Sequence, residues 1–253
     1  MIDILIPAFL ISLILLGIHS YFGIRIIQRN IIFTDLAIGQ MAALGAAISL
    51  LLFHGEYVYL LSLFFSIATG LLISFISKRS QYLEAVIGLL YALGLSGVFI
   101  LLSKSAHGME EFQNLMAYDI LFTNINDVYK TAVIYACLGG FIYLFERKTS
   151  GNLKNLLFFL TFAVTVTSSV RMAGVLVVFA ILLAPAFIAV QISTLNRMPA
   201  VIHNYTLITA WIIGIVLNII AITISFYGDF PTGYTIVFVN AFTAVTASFI
   251  KQK

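Results

Sequence analysis

The sequence has 253 residues, of which 62% are hydrophobic and only 9% are charged, with a mean hydropathy of +1.10. Soluble domains carry about 25% charged residues, so this composition excludes an ordinary water-soluble domain and indicates a chain whose solvent is the bilayer. The net charge is only +3 and no basic stripe with interleaved aromatics occurs, so nucleic acid is not an expected partner. We expect one transmembrane domain over residues 1–253.

Nine apolar stretches are close to the roughly 20 residues that a helix needs to cross the hydrocarbon core. They run about 3–27, 35–53, 57–77, 84–103, 128–145, 155–170, 172–193, 204–226 and 233–250. Only the short segment SSVR separates the sixth stretch from the seventh. The sequence therefore predicts an all-α, polytopic helix bundle with eight or nine transmembrane helices.

The basic residues between these stretches are distributed unequally. With nine crossings, one side carries Arg25, Arg29, Lys78, Arg79, Arg147, Lys148, Lys154, Arg197, Lys251 and Lys253, and the other carries only Lys104, Lys130 and Arg171. The positive-inside rule makes the first side cytoplasmic and places the N-terminus outside. Fusion of the sixth and seventh stretches would invert the C-terminal end.

The longest non-apolar segment is 104–127, which falls on the outer side in this topology. Its apolar residues recur at near-helical spacing, as in an amphipathic helix that rests on the outer surface or plugs the mouth of a pathway. A plain connector with a short helix is the alternative.

Rows of small residues occur in the second and fourth stretches. They are Gly39, Ala43 and Ala47, the parallel pair Ala42 and Ala46, and a similar row of Gly88, Ala92 and Ser96. Small residues four positions apart let membrane helices approach closely, so the rows predict helices buried in a bundle. Close packing alone accounts for them without a transport role.

Two acids, Asp35 and Glu84, stand at the predicted cytoplasmic starts of the second and fourth stretches. An acid within the bilayer is costly and commonly faces a pathway or a partner. The alternative is that both acids cap helix N-termini, where the helix dipole favours negative charge. Gln40 lies five residues beyond Asp35, so the two do not share a face of a straight helix.

Histidine and acidic residues gather on the predicted outer side: His107, Glu110, Glu111, Asp119 and Asp229. Imidazole and carboxylate ligands suit zinc, iron and manganese. His107 can converge with Glu110 or Glu111 if 107–112 forms a helical turn. A solvated loop is the alternative for each residue.

Motifs for enzymatic chemistry are missing from the sequence. It contains no G-x-x-x-x-G-K-[ST] loop, so the chain has no site of that type for ATP phosphates, and no H-E-x-x-H or zinc-type C-x-x-C. We therefore expect a protein that is not itself an enzyme and that binds no cofactor tightly.

Four segments together resemble the permeases of metal-ion ABC importers, the family that takes up zinc, manganese and iron. They are IIFTDLAIGQMAALGAA, QYLEAVIGLLYALG, SVRMAGVLVVFAILLAPAFIA and SFYGDFPTGYTIVFV, and their order and spacing cover residues 20–250. The first resembles the aspartate-containing start of the family's second helix, and the last resembles its aspartate–Pro–Ser/Thr–Gly segment.

The resemblance implies a type II ABC importer-like fold in a bacterial-type cytoplasmic membrane. It implies a homodimer with the pathway on its two-fold axis, a separate ATPase subunit that binds ATP, and a metal-loaded extracytoplasmic solute-binding protein. By the same resemblance 190–204 is the cytoplasmic coupling helix, in which Arg197 and Pro199 contact the ATPase.

The chain departs from the family pattern near Asp35. Many members carry a histidine four residues after the aspartate, whereas this chain has Gly39 there and Gln40 next to it. We expect transient contacts of the transported divalent ion with Asp35, Gln40, Glu84 and His107, with zinc as the first candidate and manganese or iron next. A proton- or sodium-coupled carrier and a non-transporting structural membrane protein are the alternative functions.

Overall fold

A computed structural model describes residues 2–78, 81–116, 120, 123–195 and 203–249 of the chain. All the regular structure in these ranges is helical, which confirms the predicted all-α fold. The helices are α1 (Ile2–Gln28), α2 (Thr34–Phe53), α3 (Val58–Ile76), α4 (Leu83–Leu102), α5 (Gly108–Met116), α6 (Ile125–Lys148), α7 (Gly151–Ala173), α8 (Val175–Leu195), α9 (His203–Gly228) and α10 (Thr232–Ser248).

Each of the nine predicted apolar stretches coincides with one long helix, and no boundary differs by more than four residues. Within the described residues, eight helices are long enough and apolar enough to cross a membrane. The other long helix, α10, has 17 residues, at the lower end of the usual range of about 17–25. The chain is therefore a multi-pass membrane protein.

The sixth and seventh predicted stretches are separate helices, α7 and α8. Gly174 lies between them with φ 83° and ψ 163°, a conformation that a side chain strongly disfavours. Its N–H still donates to the carbonyl of Val170 at 2.8 Å and so closes the last turn of α7. α7 therefore ends at this glycine, and the two stretches do not fuse into one helix.

The sequence predicted a single domain, and contacts within the chain divide it into two compact units. Unit 1 comprises Met1–Asn30, Asp119–Ala132 and Leu176–Lys253, and unit 2 comprises Ile31–Tyr118 and Val133–Val175.

Unit 2 is built around α2, which packs against α3, α4 and α7. The small residues of α2 are buried as predicted: Ala37, Ala43 and Ala47 are fully enclosed. A Cβ on Gly45 would lie 2.4 Å from the carbonyl oxygen of Leu61, so α2 and α3 approach more closely than any side chain there would allow.

The row of small residues predicted in the fourth stretch is not the face of α4 that packs against α2. Nothing lies within 4 Å of a Cβ built on Gly88, and Ala92 and Ser96 are exposed. The contact with α2 is made instead by Gly94, where a Cβ would lie 2.9 Å from the backbone carbon of Gln40. Spacing alone showed a small-residue row in α4 but did not show which side of α4 packs.

Unit 1 contains α1, α9, α10 and most of α8. Its core includes Ile24 of α1, Ala186 and Ala189 of α8, and Ala210 of α9. A side-chain hydrogen bond also joins α9 to α1, because the indole N–H of Trp211 donates to the carbonyl of Gly17 at 3.1 Å.

Candidate functional site

Asp35 occupies the first turn of α2 in unit 2 and is 1% exposed. Neither carboxylate oxygen has a hydrogen-bond partner among the described residues, and no side chain caps α2 by a hydrogen bond. Asp35 therefore does not form the hydrogen-bonded helix cap that was the alternative interpretation of this residue. A buried carboxylate without partners is costly to stability, so its presence at this position points to a role other than packing.

Glu84, in the first turn of α4, meets the start of α2 rather than capping its own helix. Its Oε1 accepts a hydrogen bond from the backbone N–H of Phe33 at 3.2 Å, across 51 positions of sequence. Its Oε2 is buried and has no hydrogen-bond partner among the described residues. Since Phe33 immediately precedes α2, the two acids predicted from the sequence both stand at the N-terminal end of α2 in unit 2.

One face of α2 extends from Asp35 along the helix. Asp35, Gly39, Ala42 and Ala46 are spaced by four, three and four residues, which aligns them on one side of an α-helix. Gly39, one turn beyond Asp35, is covered by valines: a Cβ there would lie 3.0 Å from Val175, 3.6 Å from Val170 and 3.7 Å from Val166. The glycine therefore leaves room for these branched side chains, and they close over the face.

Beyond the valines the same face of α2 lines a cavity of about 270 Å³ in unit 2. Its lining residues are Ala42, Ala43, Ala46, Leu50, Val58, Tyr59, Ser62, Glu111, Leu115, Thr167, Val170 and Arg171. The walls are mostly apolar, and the charged residues that line it are Glu111 of α5 and Arg171 of α7. The Arg171 guanidinium lies 5.9 Å from the centre of the Tyr59 ring, in cation–π range.

Gln40 points to a different part of unit 2 than Asp35, as the five-residue spacing predicted. It is 1% exposed and packs against Gly94 of α4. Its Nε2 donates to the Met116 sulfur of α5 at 3.4 Å, and its Oε1 has no partner among the described residues. The structure does not bring Gln40 and Asp35 onto one face, and a metal contact by Gln40 stays a prediction.

The predicted amphipathic segment contains the short helix α5, which is anchored to the end of α4. The Phe112 ring meets Phe99 of α4 edge-on at 5.8 Å between centroids. Gly108 lies so close to Leu102 that any side chain there would collide with the Leu102 backbone. Together with the bond from Gln40 to Met116, these contacts hold α5 against α4 and α2. Whether the segment plugs a pathway mouth or is a connector with a short helix stays open.

His107 lies at the solvent-exposed start of α5. Its Nδ1 is 4.0 Å from Oε2 of Glu110, and the two side chains are 80% and 75% exposed. The neighbouring Glu111 turns away from this pair into the cavity. No group of three or more His, Cys, Asp or Glu residues that could hold a metal ion occurs within the described ranges. The predicted ion contact of His107 stays a prediction.

The central part of the predicted coupling helix at 190–204, residues 196–202, lies outside the described residues. α8 ends at Leu195 and α9 begins at His203, so Arg197 and Pro199 lie in the undescribed segment between them. Asp119 also lies outside the described residues, and Asp229 stands in the turn before α10 with φ 52°.

Neither the cavity nor the valines above Gly39 were predicted from the sequence. Glu111 was grouped with His107, whereas helical spacing places it on the side of α5 that carries Leu115, four residues on. The side of α5 on which Glu111 lies could therefore be predicted from the sequence. The residues that face it could not, because Thr167 and Arg171 are more than fifty positions away.

Comparisons with known proteins decide the family. A family model described as the ABC 3 transport family matches residues 1–251 of the chain. The chain belongs to the ABC 3 transport family. This ABC 3 protein is also 22% identical over 270 residues to the high-affinity zinc uptake system membrane protein ZnuB of Haemophilus influenzae, and the match covers 100% of both chains.

A solved structure shares the fold of this ABC 3 protein. PsaBC from Streptococcus pneumoniae, determined in complex with Fab, aligns with a TM-score of 0.77 at 17% identity, and the alignment covers 98% of this chain and 91% of that chain. The predicted relationship to metal-ion ABC permeases and the predicted polytopic fold are both confirmed.

Proposed function

We propose that this ABC 3 family chain is the membrane-spanning permease subunit of an ATP-driven importer of divalent metal ions. Asp35 carries the proposal: it is a buried carboxylate, neither oxygen of which has a hydrogen-bond partner in the part of the chain that the structure describes, and it lies on a face of α2 that continues into a cavity. A divalent cation in the pathway would supply the positive partner that the Asp35 carboxylate lacks among the described residues. One carboxylate binds a divalent ion only weakly, so the contact assists transfer without trapping the ion.

The cation is the transported substrate, and we propose zinc first, with manganese or iron next. Zinc stands first because the curated relative is a zinc uptake membrane protein. The ligand chemistry is less selective. Oxygen ligands such as Asp35 and Glu84 suit manganese as well as zinc, and the position four residues after Asp35 is Gly39, which offers no side-chain ligand.

Partner proteins complete the proposed transporter. We propose a second copy of this chain, an ATP-binding cassette ATPase subunit that binds and hydrolyses ATP, and a metal-binding extracytoplasmic solute-binding protein. The cytoplasmic (inner) membrane of a bacterial-type cell is the proposed location. Arg197 and Pro199, in the segment between α8 and α9, are the proposed contacts with the ATPase.

A second candidate function is a carrier driven by a proton or sodium gradient. Such a carrier also places acids within a helix bundle and works without an ATPase. The ABC 3 family membership favours the ATP-driven function over this one.

Uptake into liposomes tests the proposal. The chain is reconstituted with its candidate ATPase and binding protein, and radiolabelled zinc uptake is measured with and without ATP, with manganese and iron as competitors. We expect zinc uptake to require ATP. Competition by manganese or iron should show which of these metals the transporter also accepts. Uptake that ignores ATP and follows a proton gradient would support the coupled carrier instead.

A further inference from the structure

We propose that one end of unit 2 binds the phosphate of an anionic phospholipid through Lys78, Lys148 and Lys154. These three residues are called the lysine cluster below, and they belong to the basic side that the positive-inside rule makes cytoplasmic. The inference goes beyond the proposed function and does not depend on it, because it concerns the lipid around the chain rather than the transported ion.

The fold brings the lysine cluster together from three helices. Lys78 follows α3, Lys148 ends α6, and Lys154 lies in the first turn of α7. Nδ2 of Asn155 donates to Oγ of Ser77 at 2.9 Å, and these two residues are the sequence neighbours of Lys154 and Lys78. Only two residues separate α6 from α7, so all three lysines lie at the same end of unit 2.

The positive charge at this end is not balanced by acids in the same segments. Residues 75–79 and 145–155 carry five basic residues and one acid, Glu146. Two lysines of the cluster are exposed, and Lys154 is half-buried. A surface of this charge is complementary to the negative head groups of a bilayer, which attract lysines close to the membrane surface.

Exposed aromatic rings place the cluster at the depth of the lipid head groups. Phe75 lies one helical turn before Lys78, and Phe145 lies one turn before Lys148; both rings are exposed on helices that cross the membrane. The Phe145 ring stacks on Phe141 with 4.3 Å between centroids. Acyl chains beside these rings bring a phosphate to the level of the ammonium groups, and this arrangement favours a lipid over a water-soluble protein as the partner.

A bound lipid would fasten the end of α6 to its neighbours. Only 17% of the α6 span is buried, the smallest share among the eight candidate spans of the described structure. The Tyr135 hydroxyl is hydrogen-bonded to Oγ of Ser168 at 2.9 Å, but Lys148 lies thirteen residues further on, which is about 20 Å along a helix. A phosphate shared by Lys148 with Lys78 or Lys154 therefore links α6 to α3 and α7 at this end.

Lipid binding to the purified full-length chain tests the inference. Phosphatidylglycerol and zwitterionic phosphatidylcholine are titrated in detergent, and native mass spectrometry measures the dissociation constant of each lipid. The test variant combines Lys78→Gln, Lys148→Gln and Lys154→Gln. The same three positions changed to arginine keep the charge and check folding. The matched control, with an equal loss of charge on the other predicted side, combines Lys104→Gln, Lys130→Gln and Arg171→Gln.

We expect wild-type protein to bind phosphatidylglycerol about a hundredfold more tightly than phosphatidylcholine, since each lysine near an anionic head group contributes about fivefold. The triple glutamine variant of the cluster should lose this preference, whereas the arginine variant and the matched control should keep it. Phosphatidylglycerol should also raise the Tm of wild-type protein but not that of the triple glutamine variant, because a ligand stabilises the folded state that binds it.

Four results would overturn the inference. An unchanged preference in the glutamine variant would show that the lysine cluster holds no lipid, and an equal loss in the matched control would reveal a general effect of charge. Displacement of phosphatidylglycerol by inorganic phosphate would show a site for free phosphate. Loss of ATPase binding in the glutamine variant, with its lipid preference intact, would assign the surface to the ATPase. None of these results bears on Asp35, so the proposed function is tested separately.

Discussion

Asp35→Asn removes a carboxylate that is 1% exposed and whose two oxygens have no hydrogen-bond partner among the described residues. Burying an ion costs several kcal/mol after relaxation, whereas a neutral amide without partners costs about 1–3 kcal/mol. The difference favours the variant, so Asp35→Asn should raise the free energy of unfolding by about 1–3 kcal/mol. For a chain of this size that corresponds to an increase in Tm of roughly 2–10 °C. Transport should nevertheless fall, because the charge that meets the cation is gone.

Asp127→Asn is the matched control, because Asp127 is also a first-turn acid, at the start of α6. Its side chain is 51% exposed and lies 4.0 Å from Lys130. Helix-dipole stabilisation at such a position is worth about 0.3–1 kcal/mol, so this variant should be slightly less stable. Unfolding in detergent is followed by helical circular dichroism. Equal destabilisation of both variants would refute the reasoning and support a helix-terminal role for Asp35.

Three further outcomes are expected. Gly94→Ala should lower the free energy of unfolding by about 1–3 kcal/mol, because its Cβ would lie 2.9 Å from the backbone of α2. Gly88→Ala is the control and should not lower it, because nothing lies within 4 Å of a Cβ there. Thermal unfolding compares the two variants. Glu84→Gln should keep the bond to Phe33 and wild-type stability, so any loss of uptake in that variant measures the charge alone. Val170→Ala should open the closure over Gly39 and raise ATP-independent metal leak from loaded liposomes; an unchanged leak would refute the closure.

The helices were predictable from the sequence because each crossing must satisfy its own backbone hydrogen bonds within a long apolar stretch. Every long helix found was predicted, and the contested break between α7 and α8 is fixed by Gly174, whose φ of 83° ends α7. The burial of α2 was also predictable, since Gly39, Ala43 and Ala47 recur on one face.

Contacts between distant segments were not predictable from spacing. Glu84 was a candidate to cap its own helix, but it accepts a hydrogen bond from the backbone N–H of Phe33, which immediately precedes α2. Its predicted place beside a path stays a prediction. The row of Gly88, Ala92 and Ser96 looked like a packing face, whereas Gly94 makes the contact. In both cases the outcome depends on which side of α4 meets α2, and a small-residue pattern on an all-apolar helix does not encode that side.

The most direct test of the central claim is ATP-driven metal uptake by Asp35→Asn compared with Asp127→Asn. Both variants are reconstituted with the ATPase and the binding protein, and uptake of radiolabelled zinc is normalised to assembled complex. We expect at least a tenfold loss in Asp35→Asn and wild-type uptake in Asp127→Asn, since removal of one nearby charge changes the free energy of the ion by more than about 1.4 kcal/mol. Wild-type uptake in Asp35→Asn would rule out this role of Asp35, because the buried carboxylate would then have no part in moving the ion.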